Sequence, residues 1–360
     1  MHVRGRKTFP IQSARNILIR GTNWLGDVVM TLPAVASVKK TLPAARITVL
    51  ARPWVADLYR LSPAVDSVLV YEKPGRHEGI AGLVKLAGEL RQRRFDAAIL
   101  LQNAIEAAII TVLAGIPVRA GYNSDGRGFL LTHSVARTKE IRLVHQIDYY
   151  IEMLTALGFG AASRDAVLSL DDSYKEKAAG VMAAFSIPAD SMLIGMAPGA
   201  AYGPAKMWFA ERFAAVADRL IERYGAEVLL FGSAGDLPQA ERVRNHARHP
   251  LIDLTGKTNL TEAVSMIAKC RIFISNDSGL MHVAGALGVP LVAVFGSTNP
   301  ATTSPPGMKS VIVRKPVDCS PCLKKKCPTD FACMDLIGAD DVIEAAERLL
   351  SGEPGIIRPA

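Results

Sequence analysis

Short apolar runs alternate with longer amphipathic stretches in the first half of the chain. Four of these runs predict β-strands, at 16–20, 46–50, 67–71 and 96–101. Apolar positions at helical spacing predict helices at 27–41 and 79–94. Mostly apolar strands separated by helices are typical of a parallel sheet that is covered by helices on both faces.

The second half of the chain repeats this alternation. Strands are predicted at 192–196, 227–231, 271–275 and 290–295, and helices at 208–224, 236–247, 261–269 and 279–287. Between the halves, residues 165–190 combine a charged stretch, a helix and a proline turn, which indicates a domain boundary. We therefore predict an α/β protein with two doubly wound, Rossmann-like domains, 1–172 and 173–360.

Composition and charge restrict the class of partner. A chain of 360 residues is too long for one ordinary core, in agreement with two domains. The 42 Lys and Arg residues exceed the 34 Asp and Glu residues, so the net charge of +8 favours phosphorylated substrates or an anionic membrane face. The basic residues are not interleaved with aromatic ones and form no groove-binding helix, so no nucleic acid partner is expected.

The apolar runs also bear on location. No run of about 18 uninterrupted apolar residues occurs, so no transmembrane helix is expected. The longest runs, 107–118 and 284–296, contain glycine and proline, which indicates buried elements. The basic N-terminal stretch is not followed by an apolar core, so we expect no signal peptide and a cytoplasmic protein.

Three loops that follow predicted strands carry candidate chemistry, because ligands of doubly wound sheets bind beyond the carboxyl ends of the strands. The first loop is GTNWLGDVVMTLP at 21–33, where Gly21 and Gly26 permit unusual backbone angles and Asp27 falls in the first turn of a helix. In isolation, Asp27 is best explained as a complement to the helix dipole, worth about 0.3–1 kcal/mol. The glycine spacing does not match the dinucleotide-binding fingerprint.

The second loop is APGAAYGPAKMW at 197–208. Its small residues at 198–201 allow the backbone to approach a ligand closely. Lys206 falls near a helix start, an unfavourable place for a cation unless an anion binds there. The alternative is a solvated lysine on a surface turn, but the combination favours a phosphate-binding site.

The third loop is SNDSGLMHVAGALG at 275–288. Asp277 or Ser278 could simply cap the following helix, which is worth about 1 kcal/mol. A cap alone requires neither Gly279 nor the small residues after it, whereas backbone N–H groups at 278–280 would suit a diphosphate. His282 lies one turn into the helix and, taken alone, is explained as a buried helical histidine.

Four of the five cysteines lie in one short segment, 319–333, called here the cysteine-rich segment. The spacing C-x2-C-x4-C-x5-C, formed by Cys319, Cys322, Cys327 and Cys333, is typical of a metal or iron–sulfur site, although it is compact for a zinc ribbon. Reduced structural thiols are an alternative, and disulfides are disfavoured in a reducing cytoplasm. The spacing leaves two possibilities, a structural zinc or iron–sulfur site and a segment without metal.

Several motifs together resemble those of a known family. In order, NWLGDVVMTLPA, APGAAYGPAKMW, VLLFGSAGD and NDSGLMHVAGALGVPLVAVFGSTNP are similar to motifs of bacterial ADP-heptose:lipopolysaccharide heptosyltransferases of glycosyltransferase family 9, of the heptosyltransferase II type. The resemblance extends from about residue 16 to about residue 350. It implies a GT-B fold, in which an acceptor-binding N-terminal domain and an ADP-sugar-binding C-terminal domain face a central cleft.

The resemblance also implies an activity. The expected reaction is inverting transfer of L-glycero-D-manno-heptose from ADP-heptose to heptose I of the lipopolysaccharide inner core. The enzyme would work at the cytoplasmic face of the inner membrane, in peripheral contact with it. No cofactor is expected to be required for catalysis.

Individual roles follow from the same resemblance. Asp27 matches the proposed general base, which takes the proton of the attacking hydroxyl. Lys206 matches the diphosphate-binding lysine, which stabilises departing ADP. Further donor contacts are implied for Gly232, Ser233, Asp236, Asp277, Ser278, Gly279 and His282, and acceptor contacts for Arg52, Asn103, Arg119, Tyr122 and Arg127.

Two features depart from the best-known family members. About 15 N-terminal residues precede the usual family start, and no role is assigned to them. The cysteine-rich segment is remote in sequence from all three loops, so we expect any metal there to be structural and separable from the chemistry.

The sequence alone leaves other functions possible. A nucleotide-dependent oxidoreductase or epimerase suits a doubly wound fold, although the missing dinucleotide fingerprint opposes it. A non-catalytic scaffold that binds lipopolysaccharide precursors is a second alternative. Within the family, Kdo or another glycan is an alternative acceptor.

Overall fold

The chain folds into two compact units. The computed structural model describes residues 3–4, 9, 13–160, 163–307 and 309–352. Unit 1 is Met1–Ser169 and unit 2 is Leu170–Ala360, so the division lies close to the predicted boundary after residue 172.

Unit 1 is built around one mostly parallel sheet. Its strands in the described residues are β1 (Val3–Arg4), β2 (Asn16–Arg20), β3 (Arg46–Ala51), β4 (Ser67–Val70), β5 (Ala97–Leu100), β6 (Val118–Tyr122) and β7 (His133–Val135). Its helices there are α1 (Leu25–Thr41), α2 (Pro53–Arg60), α3 (Gly79–Gln92), α4 (Ile105–Leu113) and α5 (Gln146–Ala156), with 3₁₀ turns at Arg127–Leu130 and Glu140–Arg142. The strand order is β1-β7-β6-β5-β2-β3-β4, and β1 alone among these described strands is antiparallel to its neighbour.

Unit 2 contains an entirely parallel sheet in its described part. The strands are β8 (Leu193–Ala197), β9 (Glu227–Leu230), β10 (Ile252–Asp253), β11 (Ile272–Asn276), β12 (Leu291–Val294) and β13 (Ser310–Val313), in the order β10-β9-β8-β11-β12-β13. The helices are α6 (Asp172–Ala184), α7 (Ala210–Tyr224), α8 (Leu237–His246), α9 (Leu260–Lys269), α10 (Gly279–Ala286), α11 (Pro300–Thr303), α12 (Ala332–Asp335) and α13 (Ala339–Leu350). Two doubly wound α/β units confirm the predicted fold class.

The central strands are buried because helices cover both sheet faces. All residues of β5, β8, β11 and β12 are buried, which explains why these strands appear in the sequence as continuous apolar runs. The covering helices are amphipathic: α7 buries Phe213, Ala217 and Leu220 on the sheet and exposes Glu211 and Arg219. No helix in the described ranges combines the length and apolarity needed to cross a bilayer.

Strand order fixes where ligands can approach each unit. In unit 1 the order reverses between β2 and β5, and in unit 2 between β8 and β11. A reversal of this kind opens a crevice at the carboxyl ends of the two central strands, which is where doubly wound sheets bind ligands. The loop containing Asp27 follows β2, and the loops containing Lys206 and Asp277 follow β8 and β11. All three predicted loops therefore lie at a reversal point.

One buried amide joins the two loops of unit 2. Asn276, the last residue of β11, is 0% exposed. Its Nδ2 donates to the carbonyl of Pro198 at 2.7 Å, and its Oδ1 accepts from the backbone N–H of Trp208 at 3.0 Å. The side chain thus holds both ends of the Lys206 loop against the end of β11.

We predict that Asn276→Ala destabilises the protein by about 2–4 kcal/mol, because one buried N–H and one buried C=O lose their partner. Asn245→Ala, an exposed position on α8, is the matched control and should change stability by less than about 0.5 kcal/mol. Urea denaturation and scanning calorimetry measure both variants. Equal midpoints for the two variants would contradict the bridging role.

Candidate active site

A close approach to Tyr59 shapes the loop that leads to Asp27. A Cβ on Gly21 would lie 2.6 Å from the Tyr59 ring, so no larger residue fits without displacing that ring. The Tyr59 hydroxyl accepts from the backbone N–H of Thr22 at 3.0 Å. The expectation of unusual backbone angles is wrong, since neither Gly21 nor Gly26 has a positive φ and Gly26 lies within α1. Gly21 is required for space instead.

Asp27 lies in the first turn of α1, directly beyond β2, and is partly exposed. Its negative charge acts on Tyr150, a buried residue of α5. Burial, and after it the Asp27 charge, raises the pKa of Tyr150 well above its usual value. The position satisfies the helix-dipole interpretation and also puts a carboxylate within reach of a ligand at the reversal point of unit 1.

Two of the five predicted acceptor residues are partly exposed at the carboxyl edge of the unit 1 sheet. Arg52 directly follows β3, stacks on the Tyr71 ring at 4.1 Å and is 11% exposed. Asn103 follows β5, donates to the Tyr149 hydroxyl at 2.8 Å and accepts from Ser124 at 3.0 Å. Both side chains are largely engaged by other residues of the same edge.

A cationic cluster that the sequence analysis missed surrounds Arg52. Glu106 accepts from the Tyr71 hydroxyl at 2.9 Å and from Lys73, and Arg52 lies 3.6 Å from the same carboxylate. Burial, followed by the charge of Arg52, lowers the pKa of Arg20 to about 10. Burial and Glu106 raise the pKa of Tyr71 to about 12. Three cations with one carboxylate leave a net positive charge at this edge.

The other three predicted acceptor residues bond mainly to other parts of unit 1. Arg127 is 0% exposed, and its guanidinium donates to the carbonyls of Leu100, Gln102 and Tyr122 and to Asn103. Tyr122 is buried and donates to the Tyr149 carbonyl at 2.7 Å. Arg127 and Tyr122 are therefore held mainly by other residues of unit 1, and their burial leaves little surface for a ligand.

Arg119 is misplaced for acceptor binding. It lies at the amino end of β6, while ligands of a parallel sheet bind at the carboxyl ends. Its guanidinium donates to the carbonyls of Leu130 at 2.8 Å and Ile116 at 2.6 Å. Arg119 therefore supports the loops on that side of unit 1.

A tight ion pair occupies the reversal point of unit 2. Lys206 Nζ lies 2.6 Å from Asp277 Oδ2, with side chains that are 15% and 4% exposed. Thr298, beyond β12, donates to the same oxygen at 2.7 Å. Lys206 therefore has an anionic partner within the protein, which was not predicted from the sequence. Lys206 also lies 5.1 Å from the centroid of the Tyr202 ring.

The N-terminus of α10 adjoins this pair. Ser278 occupies the N-cap position but makes no side-chain capping bond within the described residues. Its hydroxyl lies 3.0 Å from that of Ser275 instead. Gly279 begins the helix, and His282 is buried one turn later. The N–H groups of this first turn carry partial positive charge, as an anion site requires.

Asp236 holds the neighbouring strand-end loops together. Its Oδ2 accepts from the backbone N–H and the hydroxyl of Ser233, both at 2.8 Å. A side chain on Gly199 or Gly232 would collide with Asp236. The structure therefore gives Asp236 and Gly232 a role in shaping the loops after β8 and β9, and Ser233 is the exposed member of the set.

The cysteine-rich segment contains the four predicted metal ligands, Cys319, Cys322, Cys327 and Cys333. All five cysteines are free thiols, and among the described residues no group of three or more His, Cys, Asp and Glu side chains is arranged to hold a metal ion. The thiols are nevertheless close: burial, followed by Cys319, Cys322 and Cys327, raises the pKa of Cys333. A zinc or iron–sulfur site stays a prediction.

Comparison with known proteins decides the family. The sequence profile of glycosyltransferase family 9 (heptosyltransferase) matches residues 83–332. The chain belongs to this family. It is 33% identical to lipooligosaccharide heptosyltransferase 2 of Haemophilus influenzae over 83% of this chain and 88% of the relative. The predicted heptosyltransferase family is thereby confirmed, and the protein is a glycosyltransferase.

Solved structures agree with this assignment. The structure of E. coli ADP-heptose LPS heptosyltransferase II matches with a TM-score of 0.79 and 29% identity, over 94% of this chain and 99% of that one. A family 9 glycosyltransferase from Veillonella parvula matches with a TM-score of 0.85 and 26% identity, over 96% and 100%. These matches confirm the predicted GT-B fold.

Thiol titration tests the arrangement of the cysteines. After chelator treatment, we expect Cys319, Cys322 and Cys327 to react quickly with an aromatic disulfide reagent, since none of them is buried. Cys270 and Cys333 should react slowly, because both are buried and burial raises the pKa of each thiol.

Elemental analysis before the chelator treatment tests the metal prediction. About one equivalent of zinc, or about two or four equivalents of iron with matching sulfide, would support a metal site if all four segment thiols are also protected. Metal-free protein whose thiols already react as in the treated sample would reject it.

Proposed function

We propose that this glycosyltransferase transfers L-glycero-D-manno-heptose from ADP-heptose to heptose I of the lipopolysaccharide inner core, with inversion at the anomeric carbon. The Lys206–Asp277 pair beside the first turn of α10 carries the proposal, since it prepares a site for a diphosphate. The names of the matched proteins, lipooligosaccharide heptosyltransferase 2 and ADP-heptose LPS heptosyltransferase II, support the substrate class.

The proposed reaction is a single displacement. The Asp27 carboxylate accepts the proton of the acceptor hydroxyl while that oxygen forms a bond to the anomeric carbon of the heptose. The bond from this carbon to the diphosphate oxygen breaks, and ADP leaves with the electron pair. Attack from the face opposite the leaving group inverts the configuration, and no covalent enzyme intermediate forms.

Unit 2 stabilises the leaving group in this proposal. Negative charge grows on the diphosphate as the bond breaks, so fixed positive charge nearby lowers the barrier. Lys206 is restrained by Asp277 and therefore needs little reorganisation. The N–H groups of α10 add the positive end of a helix dipole.

Unit 1 binds the acceptor in this proposal. Arg52 and Lys73 are suited to anionic groups of an inner-core oligosaccharide, and the buried Arg20 adds positive charge behind them. The net charge of +8 supports peripheral contact with the cytoplasmic face of the inner membrane.

Acceptor specificity is tested directly. The purified protein is incubated with ADP-heptose and either Kdo-terminated or heptose-terminated acceptors, and ADP release is measured. The proposal predicts release with the heptose I acceptor. Faster release with the Kdo acceptor would favour that alternative, and acceptor binding without ADP release would indicate a non-catalytic scaffold.

Lys206→Ala should lower kcat by roughly 10²–10³-fold and weaken ADP-heptose binding, because it removes fixed positive charge beside the diphosphate. The exposed Lys257, which pairs with Asp253 at 3.4 Å, provides the control variant Lys257→Ala. Steady-state kinetics and calorimetric binding of ADP measure both. Wild-type constants for Lys206→Ala would refute the donor-site assignment.

Asp27→Asn separates the two interpretations of this residue. If Asp27 is the general base, Asp27→Asn should fold and bind the donor nearly as the wild type does. Its turnover should fall by roughly 10²–10⁴-fold. Single-turnover ADP release at saturating acceptor measures the chemical step.

The control for this variant is Asp148→Asn, which changes another first-turn carboxylate of unit 1. A helix-dipole role predicts about 1 kcal/mol or less of lost stability for either variant and near-normal turnover. Turnover above about a tenth of the wild-type value in Asp27→Asn would exclude an essential base.

A further inference from the structure

The cysteine-rich segment packs directly on the Lys206 loop. The Lys325 carbonyl accepts from the backbone N–H of Ala205 at 3.1 Å. The Leu323 carbonyl accepts from the Tyr202 hydroxyl at 2.9 Å. The segment is therefore remote from the Lys206 loop in sequence but adjoins it in the structure.

The same segment also packs on the loop after β12. The Ser297 carbonyl accepts from the backbone N–H of Leu323 at 2.8 Å, and the Gly296 carbonyl accepts from the Ser320 hydroxyl at 2.6 Å. The next residue of that loop, Thr298, donates to Asp277. The segment thus contacts both loops that hold the Lys206–Asp277 pair.

Charge balance at this pair calls for another cation. The Asp277 carboxylate, 2.6 Å away, compensates the charge of Lys206. A nucleoside diphosphate brings at least two negative charges, and a helix N-terminus supplies only about half a positive charge. Lys206 and α10 together therefore leave the diphosphate incompletely neutralised.

The cysteine-rich segment carries a second ammonium group, that of Lys325, which lies beside the Lys206 loop. Lys325 Nζ lies 5.7 Å from the centroid of the Tyr202 ring, and Lys206 Nζ lies 5.1 Å from the same centroid. The backbone of Lys325 is fixed by the bond from Ala205, while its side chain is exposed and can reach a ligand. Both ammonium groups therefore lie next to the same aromatic ring, beside the Lys206–Asp277 pair.

We propose that the cysteine-rich segment is the outer wall of the donor site and that Lys325 is a further binding residue for the diphosphate of the donor nucleotide. The inference rests on the proposed function, since it assigns a second cation to the same site. Lys325 acts by direct electrostatic attraction, and Tyr202 limits the positions of its side chain.

Calorimetric binding of ADP to the full-length protein at low salt tests the inference. Lys325→Gln should weaken ADP binding by roughly threefold to fivefold, the size expected for an exposed charge. Lys324→Gln changes the preceding exposed lysine and should bind ADP as the wild type does. The difference between the variants should vanish near 1 M salt, where the Debye length is about 3 Å.

A second variant tests the packing of the segment on the loop. Gly203 has φ +152°, and a Cβ there would lie 2.5 Å from the Lys325 carbonyl oxygen. Gly203→Ala should therefore displace the segment and weaken ADP binding at least as much as Lys325→Gln. Circular dichroism checks that the variant is folded.

The outcomes distinguish the inference from the proposed function. In one outcome, the wild type binds ADP, Lys206→Ala does not, and Lys325→Gln binds ADP as tightly as Lys324→Gln does. This outcome overturns the inference, while the proposed function stands. If the wild type does not bind ADP at all, the proposed function fails and the inference fails with it. Selective weakening by Lys325→Gln supports both.

Discussion

The ion pair between Lys206 and Asp277 is the interaction on which the arrangement of unit 2 depends. It joins the loop after β8 to the loop after β11, and Thr298 adds the loop after β12. Both partners are largely buried, and an uncompensated buried charge is strongly unfavourable, so each partner constrains the other. Three separate segments consequently meet at one point of the sheet edge.

The two units share a sheet topology but carry different chemical groups at the carboxyl ends of their strands. Both sheets reverse their strand order at the point where the candidate residues gather. At this edge, unit 1 presents a partly exposed carboxylate, Asp27, and a separate cluster of three cations. Unit 2 presents one restrained cation beside a helix N-terminus. The fold supplies the crevice, and the residues that end the strands determine what each crevice can bind.

Much of the fold could be predicted because buried parallel strands leave a continuous apolar signal. Each of the eight predicted strands is present, with ends displaced by at most one residue. Among the described strands, β1, β6, β7, β10 and β13 were not predicted. β6 carries arginine and glycine and β10 is two residues long, so neither gives such a run. The alternation of strands and helices was sufficient to locate the loops of Asp27, Lys206 and Asp277.

The candidate site was less predictable because residue type does not reveal burial or spatial neighbours. Arg127 resembles a ligand-binding arginine in sequence, yet it is buried and donates to three backbone carbonyls of unit 1. Conversely, Arg20 and Tyr71 carried a usable signal, since each ends or directly follows a strand at the carboxyl edge. The contact between Ala205 and Lys325 spans more than a hundred residues, and no local pattern could indicate it.

The restraint of Lys206 also affects the entropy of ligand binding. A free lysine side chain loses up to about 2 kcal/mol of rotamer entropy when it is fixed in one conformation. Lys206 has already lost much of this freedom through Asp277 and the Tyr202 ring when the protein folds. The Lys206 side chain is therefore ordered before a nucleotide binds, and it stays ordered after the nucleotide leaves. Repeated binding and release can therefore proceed with little change in the conformational entropy of this lysine.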